Sequence, residues 1–160
     1  MASRRSLILD AVVDGLNEVR TANGWPIDVV ASLSLPRDNA IAGESSAARN
    51  RAFVLGVGEQ LDTRAMDQFQ RVRLSIAVDL FPAATAAAVS LFDAVDGLLV
   101  SAQKRLLQLI EAEPAFGVAG CEDADMRWDL FRPESDTIPG ATVTLEVTYR
   151  HQRTDPEVYP

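Results

Sequence analysis

The chain has 160 residues, of which 48% are hydrophobic and 24% charged, and its formal net charge is −8. This length and composition suit one globular domain with its own core and exclude a chain that is disordered throughout. The acidic balance disfavours general binding to nucleic acid or to an anionic membrane, because both need clustered Lys and Arg. Cys121 is the single cysteine, so no intrachain disulfide can form, as expected for a reducing compartment.

The first predicted element is an amphipathic helix over residues 4–22. Apolar residues recur there at helical spacing, with acidic residues on the other faces. Ser3 or Ser6 is the candidate N-cap. Asn23-Gly24 is the predicted stop, because glycine tolerates the left-handed conformation that follows a helix end.

Two strands and a loop are predicted next. Residues 27–35 alternate between apolar and polar side chains and predict a strand. Residues 36–50 are rich in Pro, Asn, Gly and Ser and predict a long mobile loop. Residues 51–58, RAFVLGVG, predict a short strand buried on both faces, and residues 59–67 predict a connection to the next strand.

Residues 70–81, QRVRLSIAVDLF, are the clearest strand in the chain. One predicted face is apolar: Val72, Leu74, Ile76, Val78 and Leu80. The other face carries Arg71, Arg73, Ser75, Ala77 and Asp79. A strand with this alternation buries only one face.

A long second helix is predicted from Pro82 to about Glu113. Proline suits a helix start, because its missing N–H would be unpaired there anyway. The apolar stripe consists of Val89, Phe92, Val95, Leu99, Ala102, Leu106 and Leu109. We expect Asp96-Gly97 to bend or break this helix and Pro114 to end it. Asp93 and Asp96 also interrupt the longest apolar stretch, so no membrane span is predicted.

The last third predicts two antiparallel strands, one through Met126, Trp128 and Leu130 and one over Thr142–Tyr149. The order α-β-β-β-α-β-β predicts a single α+β domain over residues 1–150, with two helices packed on one face of a mixed or antiparallel β-sheet. From Arg150 to Glu157 no residue is apolar, and residues 151–160 are predicted to form a C-terminal interaction tail.

Few residues are candidates for chemistry. His151 is the only histidine and lies in the polar tail, so a solvated or interface role is favoured over catalysis. Cys121 has acidic neighbours that disfavour a thiolate. Glu122, Asp123 and Asp125 are interpreted as a solvated strand start rather than a metal site. Without a nucleophile, paired carboxylates or a phosphate loop, no catalytic, cofactor-binding or metal-binding residue is predicted, and the protein is not expected to be an enzyme.

Three arginines give the strongest sign of a partner surface. Arg71 and Arg73 share the polar face of the central strand, and Arg64 precedes it. One interpretation is a solvated sheet face on which these arginines pair with Asp79 and Glu146. The alternative is a surface that binds another protein, and the residues alone leave both open.

Three stretches resemble the siphophage tail terminator proteins, a family that includes the lambda minor tail protein U type and related small tail-completion proteins. The opening RRSLILDAVVDGLNEV, the central FQRVRLSIAVDLF before a long helix, and the closing ATVTLEVTYRHQRTDPEVY are similar to the corresponding parts of that family. The closing stretch is the most specific of the three, because its strand ends in Thr148-Tyr149-Arg150 and the chain then continues to the pair Asp155-Pro156. Residues 36–50 match nothing in that pattern.

The resemblance implies a virion protein that is assembled in the host cytoplasm. Tail terminators cap the last ring of tail tube protein as a hexameric ring, end tube polymerisation, and offer a surface to the head–tail connector. DNA would pass through without sequence-specific binding, repelled by a negative lumen. We expect the tail to dock on a neighbouring subunit or ring, and loop 36–50 to order only on contact. The candidate interface residues are Arg64, Arg71, Arg73, Arg150, His151, Arg153, Asp155 and Tyr159.

Two alternatives remain at this stage. One is another neck component, such as a head-completion or connector protein. The other is a small α+β enzyme or ligand-binding module, which would need a concave site with convergent polar groups.

Overall fold

The computed structural model describes residues 2–33, 49–62, 69–83, 91–129 and 140–152. The helices in these ranges are α1 (Arg4–Asn17) and α2 (Leu91–Glu111). The strands are β1 (Val29–Leu33), β2 (Asn50–Leu61), β3 (Phe69–Phe81), β4 (Cys121–Asp129) and β5 (Ala141–Gln152). Short 3-10 turns at Thr21–Asn23 and Ala115–Gly117 follow the two helices. The order of these elements confirms the predicted α-β-β-β-α-β-β pattern.

The strands form one mixed sheet in the order β1-β2-β3-β5-β4. β1 runs parallel to β2, and the other neighbours are antiparallel. The two long strands β3 and β5 form the centre, with Leu74 opposite Val147 and Val78 opposite Val143. Because opposite residues point to the same face, the apolar sets of both strands lie together.

Both helices pack on one face of this sheet, as predicted. Leu9 of α1 lies next to Gly56 of β2, and the Nε of Arg105 in α2 donates to the carbonyl of Gly15 in α1 at 3.0 Å. The core between the helices and the sheet includes Ile8, Val12 and Leu16 of α1, Leu99, Ala102 and Leu106 of α2, and Leu74, Ile76, Val143 and Leu145 of the sheet.

The helix ends differ in part from the prediction. Ser3 is the N-cap of α1, since its hydroxyl accepts from the Ser6 N–H at 3.3 Å. α1 already ends at Asn17, and Gly24, with φ 84°, closes the 3-10 turn that follows. α2 continues through Gly97, so of the predicted bend or break there, the break is wrong. Pro82, the predicted start of this helix, is not helical, and residues 84–90 lie outside the described residues.

β2 and β5 are longer than predicted, whereas β1 begins at Val29, two residues later than predicted. β2 continues to Leu61 and includes residues assigned to a connection, because it pairs along most of β3. Its second half is exposed, with Val57 at 61% beside a β-bulge, so burial on both faces is wrong. Leu33 and Trp128 are also exposed, although their alternation suggested burial.

β5 continues past Tyr149 to Gln152, because Arg150, His151 and Gln152 pair with the first residues of β3. Residues 153–160 of the predicted tail and 36–48 of the predicted loop lie outside the described residues, and Asn50, the last residue of that loop, already belongs to β2. None of the described helices is long and apolar enough to cross a membrane.

Candidate interaction surface

Both helices pack on one face of the sheet, and neither of them covers the other face. We call it the open sheet face and define it by Arg71, Arg73, Ser75, Ala77 and Asp79 of β3 and by Thr142, Thr144, Glu146, Thr148 and Arg150 of β5. The alternation of both strands and their register place these side chains together, with Arg71 opposite Arg150 and Ser75 opposite Glu146. Most of these side chains are exposed or half-buried. The face is therefore a broad polar surface on the side of the sheet opposite the core.

One carboxylate joins two of the arginines on this face. Glu122 Oε2 accepts from Arg71 Nε at 2.8 Å, and its Oε1 forms an ion pair with Arg150 Nε. A β-bulge in β4 between Cys121 and Asp123 sets Glu122 out of the regular ladder. Two like charges on neighbouring strands would repel each other, and the shared carboxylate offsets that repulsion.

Asp79 and Glu146, the two carboxylates that the sequence suggested as partners of the arginines, accept hydrogen bonds from hydroxyl groups. Ser75 donates to Glu146 at 2.7 Å, and Thr142 donates to Asp79 at 2.7 Å. Arg71 pairs with Glu122 instead. Arg73 is exposed and forms no ion pair with another described residue.

The structure separates the predicted interface residues. Arg71, Arg73 and Arg150 lie together on the open sheet face. His151 has the opposite orientation: it continues the core-facing side of β5, is only 8% exposed, and its ring centroid lies 6.2 Å from that of Tyr149. The interpretation of His151 as a solvated residue is therefore wrong. The other four predicted interface residues, Arg64, Arg153, Asp155 and Tyr159, lie outside the described residues.

A polar cluster closes the core at the end of the sheet beside the start of α1. The Tyr149 hydroxyl donates to Glu59 Oε1 at 2.7 Å, and Arg5 Nη1 donates to Glu59 Oε2 at 3.2 Å. Burial, followed by the bond to Glu59, raises the pKa of the Tyr149 phenol well above its usual value. Tyr149 is therefore neutral and acts as a hydrogen-bond donor over the ordinary pH range.

Cys121 lies at the start of β4 and is half-buried. Burial raises the pKa of its thiol, and the nearby positive charge of Arg4 lowers it by a smaller amount. The thiol therefore stays protonated at neutral pH, which makes it a weak nucleophile. The sequence suggested acidic neighbours as the cause of a raised pKa, whereas burial raises it in the structure.

Within the described ranges, no group of three or more His, Cys, Asp and Glu side chains could hold a metal ion. Glu122 belonged to the acidic run considered for such a site. In the structure its two carboxylate oxygens face the guanidinium groups of Arg71 and Arg150.

A second surface feature, which the sequence did not reveal, lies between α2 and the loop after α1. It is an open cleft of about 630 Å³, lined by Glu18, Asn23, Gly24, Trp25, Pro26, Lys104, Arg105 and Gln108. Lys104 Nζ lies 5.3 Å from the centroid of the Trp25 ring, within the range of a cation–π contact. The sequence features that could have indicated this cleft are the Trp25-Pro26 pair and Lys104, the only lysine of the chain. Nothing in the sequence shows that these residues lie side by side.

No protein-family model matches the chain, and a search of the curated proteins finds no match.

Proposed function

We propose that this chain is a structural virion protein that caps the tail tube of a siphophage as a homomeric ring, ends tube polymerisation, and joins the tail to the head-side connector. The proposal combines the resemblance of three sequence stretches with one structural observation. That observation is the open sheet face, a polar surface on two long central strands that neither helix covers.

The chemistry of this face suits protein–protein contact. Glu122 pairs with both Arg71 and Arg150 and neutralises only one of their two positive charges. A partner that covers this group must therefore bring a carboxylate of its own, because a buried unpaired charge is costly. Arg73 lies beside them without an ion pair among the described residues. It is therefore available to a carboxylate of a partner, and arginine is frequent among the residues that dominate interface energies.

A homomeric ring also fits the charge of the chain. Each subunit of a ring uses two different surfaces, because the contacts are heterologous and close by rotation. A second copy with a net charge of −8 offers many carboxylates to the arginines of the open sheet face. The remaining negative charge would repel DNA that passes through the ring.

Two other functions make different predictions. A different neck component would use the same fold but would bind the connector rather than the tube. The observation that favours a ligand-binding module is the cleft beside Trp25, where the Lys104 ammonium group lies over the indole ring. A module of that kind would bind a small acidic molecule as a monomer.

Light scattering on the purified chain over a concentration series tests the ring. Six copies of the 17.3 kDa chain give about 104 kDa, and we expect a species of that mass alone or on addition of tail tubes. Co-sedimentation with polymerised tail tube protein, compared with head–tail connector protein, then separates a terminator from another neck component. A chain that stays monomeric and sediments with neither partner would refute the proposal.

A charge reversal on the open sheet face tests the surface itself. Arg73→Glu should weaken assembly or tube binding at least about tenfold, because it places a like charge opposite the partner's carboxylates. Arg49→Glu is the matched control, since Arg49 is also exposed, changes the charge equally, and lies just before β2, at the end of the sheet away from Arg73. If both variants bind equally well, the open sheet face is not the contact.

A further inference from the structure

The cleft beside Trp25 has the character of a site for an acidic peptide. Trp25 and Pro26 supply an apolar wall, and Lys104 holds its ammonium group over the Trp25 ring. Arg105 is already engaged, since it pairs with Glu18 and donates to the Gly15 carbonyl. Lys104 has no ion-pair partner among the described residues, so it is the cation available to a ligand.

The chain itself carries a segment with complementary chemistry. After the last residue of β5 it continues as RTDPEVYP, residues 153–160. Asp155 and Glu157 supply carboxylates, and the ring of Pro156 between them can pack on an indole. A ligand of this type satisfies Lys104 and covers Trp25 at the same time.

We propose that the C-terminal segment 153–160 of one copy binds in the Trp25–Lys104 cleft of a second copy. The proposal rests on the proposed function, because it names one of the two surfaces that a heterologous ring contact requires. Each contact is a short peptide on an open cleft and is weak alone. A ring repeats the contact at every interface, so the contacts reinforce one another.

The geometry of the subunit favours a second copy over the chain's own cleft. β5 ends at Gln152, close to Tyr149, whose hydroxyl shares a carboxylate with the first turn of α1. The cleft lies at the other end of α1, at Glu18. The 14 residues of α1 span about 21 Å. Asp155 and Glu157 are the third and fifth residues after Gln152 and reach only about 10 Å and about 17 Å from it in an extended chain, less than the length of α1.

The single lysine makes this contact directly measurable. A carbodiimide joins an amine to a carboxylate without a spacer, so a bond from Lys104 to Asp155 or Glu157 identifies the contact in the full-length chain. We would mix equal amounts of ¹⁵N-labelled and unlabelled protein before cross-linking and map the product by mass spectrometry. Binding between copies predicts mixed heavy–light pairs in about half of the cross-links, as random pairing requires.

Charge variants separate this contact from a chance encounter. Lys104→Arg keeps the charge and should retain assembly, although the cross-link disappears. Lys104→Glu should weaken self-association about tenfold by opposing the tail carboxylates. The double variant Lys104→Glu with Glu157→Lys should restore it. Because these positions are exposed or lie beyond the last strand, we expect all variants to fold, and far-UV circular dichroism checks this.

The outcomes distinguish this inference from the proposed function. A 104 kDa ring that binds tubes but gives no cross-link from Lys104 to the tail overturns the inference and leaves the function standing. Cross-links found only within heavy or within light chains also overturn it, because the segment then binds its own subunit. Mixed cross-links with charge-swap rescue, but without tube binding, support the contact and count against the tail-terminator function.

Discussion

Asn17 ties the end of α1 to the edge of the sheet, and its replacement tests how much that contact contributes. Its side-chain carbonyl accepts from the Ala31 N–H at 2.8 Å, and its amide donates to the Ala31 carbonyl at 3.1 Å. The N–H and C=O of one strand residue point to the same side, so these are the Ala31 groups that face away from β2. One carboxamide therefore occupies the position that a neighbouring strand would take.

The structure sets the magnitude of the effect of Asn17→Ala. Each hydrogen bond contributes about 1 kcal/mol net, and a buried backbone group left without a partner adds a further penalty. Ala31 is only 7% exposed, so water reaches its backbone poorly. We expect the free energy of unfolding to fall by about 2–3 kcal/mol, which lowers the melting temperature by roughly 4–12 °C for a chain of this size.

Urea unfolding monitored by tryptophan fluorescence measures this loss, with Asn23→Ala as the matched control. Asn23 is exposed, and its amide makes one bond, to the Glu18 carbonyl at 2.9 Å. The control should lose less than about 1 kcal/mol, because water replaces that bond. Asn17→Asp should fall between the two, since it keeps the acceptor but loses the donor. If Asn17→Ala and Asn23→Ala lose the same stability, the reasoning about the strand edge is wrong.

Two further predictions concern packing and pH. Gly15→Ala should destabilise the protein by about 1–3 kcal/mol, because the added Cβ would lie 2.5 Å from Leu109 Cδ1. Gly97→Ala should stabilise α2 by about 0.5–1 kcal/mol, because no atom lies within 4 Å of the added Cβ. Thermal unfolding of both variants measures this contrast, and equal shifts in melting temperature would contradict it. The raised pKa of folded Tyr149, against about 10 in the unfolded chain, means that its contribution to stability is complete below pH 10 and is lost as the pH rises above it. From pH 8 to pH 11 the urea midpoint should therefore fall further for the wild type than for Tyr149→Phe, which cannot ionise at this position and lacks only the bond to Glu59. An equal fall in both proteins would show that Tyr149 is not the group responsible.

The parts of the fold that the sequence predicts are those set by local alternation. Five of the six buried positions of β3 follow directly from its period of two, and the sixth, Phe81, lies outside that alternation. The apolar stripe of α2 predicts Val95, Leu99, Ala102 and Leu106 in the core. Both elements bury one side along their whole described length. A pattern read over ten or more residues averages out single exceptions, so the α+β class and the order of elements were predictable.

The ends of the elements depend on distant partners, and there the sequence was insufficient. β5 extends over Arg150–Gln152 because β3 offers a ladder to pair with, although these residues are polar. His151 is buried because it is two residues beyond Tyr149 on the same strand, and continuing that strand would have predicted its orientation. Glu122 reaches two arginines because of a bulge, which no local pattern indicates.

The edges of the sheet limit how copies of this chain can assemble. On β1, the outward groups of Ala31 bind Asn17, and the Val29 N–H donates to the Val19 carbonyl at 2.9 Å. On β4, the other edge, a bulge and the acidic run from Glu122 to Asp125 interrupt a regular ladder. Natural proteins use bulges and charges of this kind to prevent strand addition. Contacts between copies should therefore come from side-chain surfaces, and the open sheet face and the Trp25–Lys104 cleft offer such surfaces on opposite sides of the subunit.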